Sequence, residues 1–264
     1  LMHSWYQMVL GFNESYYYWM DEGFTNYAAE RVMNHLRSKG LIPGDPDPRP
    51  FESFYNGYID LVMSGVEEPL STHADHFEDA GAYGAAAYQK GALFLYQLEY
   101  VIGKPAFDQG LLDFFNTWKF KHPDDNDFIR VMEKSSGLEL DWYRDYMVYS
   151  LKTVDYSVDT VFAYQEQSAI ILERIRDMPM PIDVVINTKA GTQLYYTIPL
   201  DIMRGAKEER GPDDKPYELL HDWNWVNPSY LFVVPFTPDQ IQSVTIDPYM
   251  RMLDLDRENN VWAY

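Results

Sequence analysis

The sequence predicts an α+β chain of two domains, a helical one over residues 1–155 and a β-sandwich over 156–264. Three observations carry this reading. Up to about residue 150, apolar residues recur at helical spacing and several segments end in glycine. From about Tyr156 the texture changes to short runs of β-branched and aromatic residues separated by turn residues. The 264 residues are enough for one large or two ordinary domains, and no internal repeat or low-complexity tract interrupts them.

The elements follow in order. After Glu22, the residues Phe24, Tyr27, Ala28, Val32 and Leu36 share one face of a helix. The Pro/Asp-rich "PGDPDPRP" at 43–50 breaks it. "FESFYNGYIDLVMSG" predicts a second helix stopped by Gly65, and "AAAYQKGALFLYQLEYVIG" a third stopped by Gly103. "PAFDQGLLDFFNTWKF" and "NDFIRVMEKSSG" are amphipathic, the latter capped at Asn126 and ended by Gly137. "LDWYRDYMVYS" closes the helical part. Beyond it, "IDVVINTKAGTQLYYTIPLD" places two strand-like runs around Ala190-Gly191, a hairpin signal. "YLFVVPF" and "SVTIDP" are further strands, and the short spacing suggests a sandwich.

Composition excludes several functions. With 41 acidic against 21 basic side chains the net charge is −20, the wrong sign for nucleic-acid backbones or anionic membrane surfaces. The acidity favours solubility, and it also attracts cationic substrates such as the free amine of a peptide. There is no cysteine, so disulfides and thiolate metal sites are excluded. No apolar run approaches the ~18 residues of a membrane span. The sequence does not fix a compartment. The 22 Tyr, 14 Phe and 7 Trp supply a large aromatic core.

The opening "LMHSWYQMVLGFNESYYYWMDEGF" is the stretch richest in chemistry. Two histidines one helical turn apart can hold zinc on one helix face, with a glutamate after the first acting as general base. Leu1-Met2-His3 has the form of the last three positions of such an H-E-x-x-H arrangement, and a carboxylate from another helix commonly completes the set. Eighteen residues lie between His3 and Glu22, which sits in "DEGFTNY". Far downstream, "AYQKGALFL" carries Tyr88, Lys90 and Gly91.

These stretches resemble the aminopeptidase-N-like gluzincins, zinc aminopeptidases that also include leukotriene A4 hydrolase. Members show H-E-x-x-H, then eighteen residues, then Glu within N-E-G-F, and a later Y-x-K-G-A. Asp21 departs from that pattern, which has Asn there. The later segments look like the end of the catalytic domain and the β-sandwich that follows it in many bacterial members. The resemblance implies that residues 1–155 are the helical half of a thermolysin-like catalytic domain. It implies metal ligation by His3 and Glu22, a hydrogen bond from Tyr88 to the tetrahedral oxyanion, and one zinc ion in the intact parent. Asn26, one turn after Glu22, is a candidate to orient a ligand.

On this resemblance the first His and the general-base Glu are expected immediately before Leu1, and the Gly-x-Met-Glu-Asn loop that binds the substrate amine still further upstream. The chain then reads as the C-terminal half of an aminopeptidase. Its expected partners are peptide substrates and the N-terminal part of the same protein. Alone it is expected to bind zinc weakly or not at all and to be inactive. Two other readings stand beside this one: a non-catalytic interaction module and a thermolysin-like endopeptidase. Elsewhere, His73 and His76 in "HADH", the acids of "DDNDF" and the tryptophans of "DWNW" are read as a solvated loop, a helix cap and sandwich packing. His35, His122 and His221 are read as surface or capping residues.

Overall fold

A computed structural model of the chain describes residues 2–209 and 216–264, without the side chains of Trp5 and Gln7. Two compact units are present. The first comprises Leu1–Glu99, Lys104–Ser136 and Leu140–Leu151, the second Tyr100–Gly103, Gly137–Glu139 and Lys152–Tyr264. A reading by contiguous stretches cannot see that two short inserts of the helical sequence belong to the second unit. No described helix is long and apolar enough to cross a membrane.

The first unit is helical. Its helices are α1 (Met2–Val9), α2 (Tyr18–Ser38), α3 (Glu52–Ser64), α4 (Ala80–Gly84), α5 (Gly91–Ile102), α6 (Lys104–Trp118), α7 (Asp125–Ser136) and α8 (Asp141–Tyr149). A single π-helical turn, Ala85–Lys90, joins α4 to α5. The last residues of α5, Tyr100–Ile102, count with the second unit. α2 starts a turn earlier than the apolar spacing after Glu22 suggests, because Tyr18, Trp19 and Met20 are also buried. Aromatic rings make its core: Phe24 lies 4.9 Å from Phe128, and Trp19 lies 5.0 Å from Phe94, ring centre to ring centre. Each such side chain stabilises the fold by roughly 1.5–3 kcal/mol through apolar burial.

The helix stops follow the glycines. Gly65 takes φ of +72° and its N–H bonds to the Val62 carbonyl, ending α3. The start of α7 differs from the expectation of an Asn126 cap. Asp124 accepts from the Asp127 N–H at 2.9 Å, while Asp127 accepts from the Asp124 N–H at 3.2 Å. This reciprocal pair satisfies the Asp127 N–H of the first turn and the N–H of Asp124 before it, and Asn126 lies inside the helix.

Glycine also sets a close crossing. A Cβ on Gly23 of α2 would lie 2.4 Å from the Gly91 carbonyl carbon, and one on Gly91 would lie 2.7 Å from the Trp19 carbonyl oxygen. Neither helix could come so near with any larger residue at these positions.

The second unit holds two sheets. One has the strand order β1-β2-β6 (Tyr156–Tyr164, Gln167–Arg174, Ser229–Val234). The other has the order β5-β4-β3-β7-β8 (Glu218–Leu219, Gln193–Ile198, Ile182–Thr188, Ile241–Ile246, Val261–Ala263). All pairings are antiparallel except the two-residue β4–β5 contact. The hairpin around Ala190-Gly191 is present as β3–β4, with Val184 opposite Tyr196. The β1–β2 hairpin carries no glycine signal, because Gln165 occupies its left-handed position at φ of +58°. Tyr196 of β4 meets Phe232 of β6 at 5.8 Å, so the two sheets share a core. Trp223 is buried between Tyr156 and Tyr230, which matches the packing role read for it. Inside this unit Lys207 is almost fully buried. Its ammonium lies 2.6 Å from Asp183 and 3.6 Å from the Tyr100 ring centre, an ion pair and a cation–π contact together.

Replacing Gly23 by alanine is expected to destabilise the first unit by about 1–3 kcal/mol or more, since the new methyl meets backbone rather than a movable side chain. Urea unfolding followed by circular dichroism measures this, and an unchanged midpoint would contradict the close crossing.

Candidate active site

The Gly23–Gly91 crossing juxtaposes the first turn of α2 with the π-helical turn. Glu22 directly precedes Gly23, and Tyr88 lies three residues before Gly91. The Tyr88 hydroxyl donates to Glu22 Oε1 at 2.8 Å. His3, on α1, brings its Nε2 to 3.2 Å from Glu22 Oε2 and 3.1 Å from Asp21 Oδ2. The three residues singled out by sequence for chemistry, His3, Glu22 and Tyr88, therefore stand at one locus.

Other contacts hold the π-helical turn. The Asn26 side-chain amide donates to the Tyr88 main-chain oxygen at 3.2 Å. Asn26 thus reaches the backbone that carries the phenol, where the sequence had suggested a metal ligand as its target. The Lys90 ammonium meets Glu67 at 2.7 Å, with both side chains nearly buried. π-helical turns are uncommon and cluster at functional sites, because the extra residue re-aims the side chains that follow.

The locus opens to solvent on one side. Tyr88 and His3 are each about two-fifths exposed, while Asp21 is 2% exposed. Burial pushes the Asp21 carboxyl up to about 6; the nearby His3 lowers it, and Glu14 and Glu22 raise it. The hydrogen bond to Glu22, and then burial, push the Tyr88 phenol up to about 12. Tyr88 therefore stays protonated at neutral pH and remains a donor. Tyr83 is raised by burial and by the charges of Glu22, Glu14, Asp75 and Asp21, so it lies in the same acidic field.

Sequence reasoning missed Asp21, taking it only as a departure from an expected Asn. Two adjacent acids at the start of a helix were the available signal; burial of one of them was not visible. Both Asp21 oxygens are buried without a hydrogen-bond partner, the contact with His3 being at ion-pair distance without hydrogen-bond alignment. One imidazole nitrogen and two carboxylate oxygens, from His3, Asp21 and Glu22, all lie within 4.8 Å of one another. These donor types and this spacing fit a divalent cation such as zinc.

The other candidates stay apart from it. The His73 and His76 rings lie 4.8 Å apart, and His73 Nδ1 accepts from the Asp75 N–H. They join no potential metal-binding group among the described residues. His122 Nδ1 lies 2.8 Å from the Gly11 carbonyl oxygen, at hydrogen-bond distance.

The family profile described as "Peptidase family M1 domain" matches residues 1–147. The chain belongs to peptidase family M1. Among curated relatives, the leukotriene A-4 hydrolase homolog of Botryotinia fuckeliana is 26% identical over 140 residues, 48% of this chain and 20% of that protein. Leucine aminopeptidase 2 of Sclerotinia sclerotiorum is 28% identical over 134 residues, covering 48% and 21% respectively. The chain thus spans about a fifth of the length of these curated M1 relatives. In fold it is similar to Legionella pneumophila aminopeptidase A, solved in complex with aspartic acid. That match has a TM-score of 0.58 at 14% identity and covers 96% of this chain and 26% of the other.

Lys90→Met leaves Glu67 buried without its counter-charge, and is expected to cost about 3–5 kcal/mol of stability. The double variant Lys90→Met/Glu67→Leu should recover much of that loss. Chemical denaturation of the single and double variants checks both statements.

Proposed function

We propose that this chain supplies part of the active site of a zinc-dependent aminopeptidase, a longer M1 protein that cleaves N-terminal residues from peptides. One observation carries the reading: the Tyr88 hydroxyl stands 2.8 Å from Glu22, whose other oxygen is 3.2 Å from His3. A phenol donor beside a cation-binding carboxylate and imidazole is what polarisation of a scissile carbonyl requires. M1 membership and the aminopeptidase names of the relatives support it.

In this reading His3 and Glu22 hold one zinc ion. Bound zinc supplies a Lewis acid that assists the attack of water on the peptide carbonyl. The other oxygen of Glu22 accepts the Tyr88 hydroxyl in this structure. With a peptide present, Tyr88 turns that donation to the carbonyl oxygen as negative charge develops there. An ordinary phenol pKa of ~10 already keeps this proton in place at neutral pH. Asn26 and the Lys90–Glu67 pair fix the backbone from which Tyr88 reaches out. The surrounding acidity favours approach of a cationic α-amine.

None of the 264 residues is assigned as general base or as the amine-binding group. Alone, the chain is therefore expected to hold zinc more weakly than the longer protein and to show no turnover of a chromogenic aminoacyl substrate above background. A longer polypeptide with His-Glu directly before Leu1 is expected to turn it over. General-base groups of this kind contribute ~10²–10⁴-fold.

In that longer protein, Tyr88→Phe should lower kcat by ~10²–10³ with KM little changed, because its hydrogen bond strengthens in the transition state. Steady-state kinetics decides; unchanged kcat would remove Tyr88 from the chemistry.

A further inference from the structure

Among the described residues of the first unit, Asp21 is the buried acid with neither side-chain oxygen hydrogen-bonded. It is 2% exposed, and neither carboxylate oxygen receives a hydrogen bond. A carboxylate in the first turn of a helix ordinarily reaches a free backbone N–H or stays in water. Asp21 does neither. It points instead at His3, with Oδ2 3.1 Å from Nε2, the same nitrogen that Glu22 Oε2 approaches at 3.2 Å. Two acceptor oxygens share one imidazole nitrogen, an arrangement that a metal cation or a proton on that nitrogen completes.

The spacing is informative. Zinc bound at about 2.0–2.2 Å by nitrogen and oxygen donors sets neighbouring donors roughly 3.3–3.6 Å apart along a tetrahedral edge. The two measured separations, 3.1 and 3.2 Å, are close to that edge. The third separation, between the carboxylates, lies within the 4.8 Å that encloses the whole group.

We propose that Asp21 is a donor of the metal centre, third beside His3 and Glu22, so that these 264 residues hold a divalent cation with their own side chains. The proposal rests on the reading of His3 and Glu22 as metal ligands. Within these 264 residues it raises the donor count from the two legible in the sequence to three. Zinc accepts this imidazole and carboxylate set, and the second carboxylate adds charge where an asparagine would offer only a neutral oxygen.

The test uses the 264-residue chain after chelation and titrates zinc by calorimetry and by competition with a chromophoric chelator. The wild type is expected to bind one zinc ion, and Asp21→Asn to bind at least tenfold more weakly. His3→Ala and Glu22→Gln should each lose binding as well. If Asp21→Asn binds as tightly as wild type while the other two lose binding, the proposal is overturned and the reading of His3 and Glu22 stands. If His3→Ala and Glu22→Gln bind like wild type, that reading falls and the proposal with it. A wild-type chain that binds no zinc also overturns the proposal. Infrared difference spectra of wild type carrying ¹³C-labelled aspartate need no substitution. A zinc-induced shift of an aspartate carboxylate band is expected, and its absence overturns the proposal.

Discussion

Where α2 crosses the segment leading into α5, the two backbones touch at Gly23 and Gly91, and the chemistry of the site depends on that contact. Glu22 and Tyr88 are 66 positions apart in sequence, yet their side chains meet at 2.8 Å because each is only one to three residues from the crossing. The approach removes the Cβ atoms that would hold the helices apart. The two glycines are thus the geometric condition for the acid and the phenol to meet. Tyr88 lies in the π-helical turn just before the crossing, with Asn26 and the Lys90–Glu67 pair holding the turn in place.

The second organising feature is electrostatic. Asp21 and Glu22 gather around one imidazole, and Glu14 adds its field to Asp21. Burial makes this arrangement costly, as the upward shift of Asp21 records. A folded protein tolerates such a cluster when a cation, a proton or a substrate amine completes it. The chain's net charge of −20 gives the same preference over a longer range.

Much of this was legible in the sequence, for physical reasons that differ between elements. The end of α3 could be read because the backbone beyond it takes a positive φ that glycine adopts freely. The β3–β4 hairpin could be read from its Ala-Gly turn, whereas the β1–β2 hairpin could not, since Gln165 takes the left-handed position. The π-helical turn reads as ordinary helix, because "AAAYQK" has helical propensity under either hydrogen-bond register. At the site, His3, Glu22 and Tyr88 could be found because spacing and residue type survive in one dimension. Asp21 was passed over because its burial and its unpaired oxygens are not encoded in a linear pattern.

The curated relatives are about five times longer than the stretch they share with this chain. The central claim concerns only what these residues do together: one imidazole, two carboxylates and a phenol converge on a common cation. Anomalous X-ray diffraction at the zinc absorption edge, from crystals grown with zinc, tests it most directly. The account predicts an anomalous peak about 2.0–2.2 Å from His3 Nε2 and from one oxygen each of Asp21 and Glu22, with the Tyr88 hydroxyl facing it. A peak bound elsewhere, with His3, Glu22 and Tyr88 directed to separate surfaces, would contradict the account.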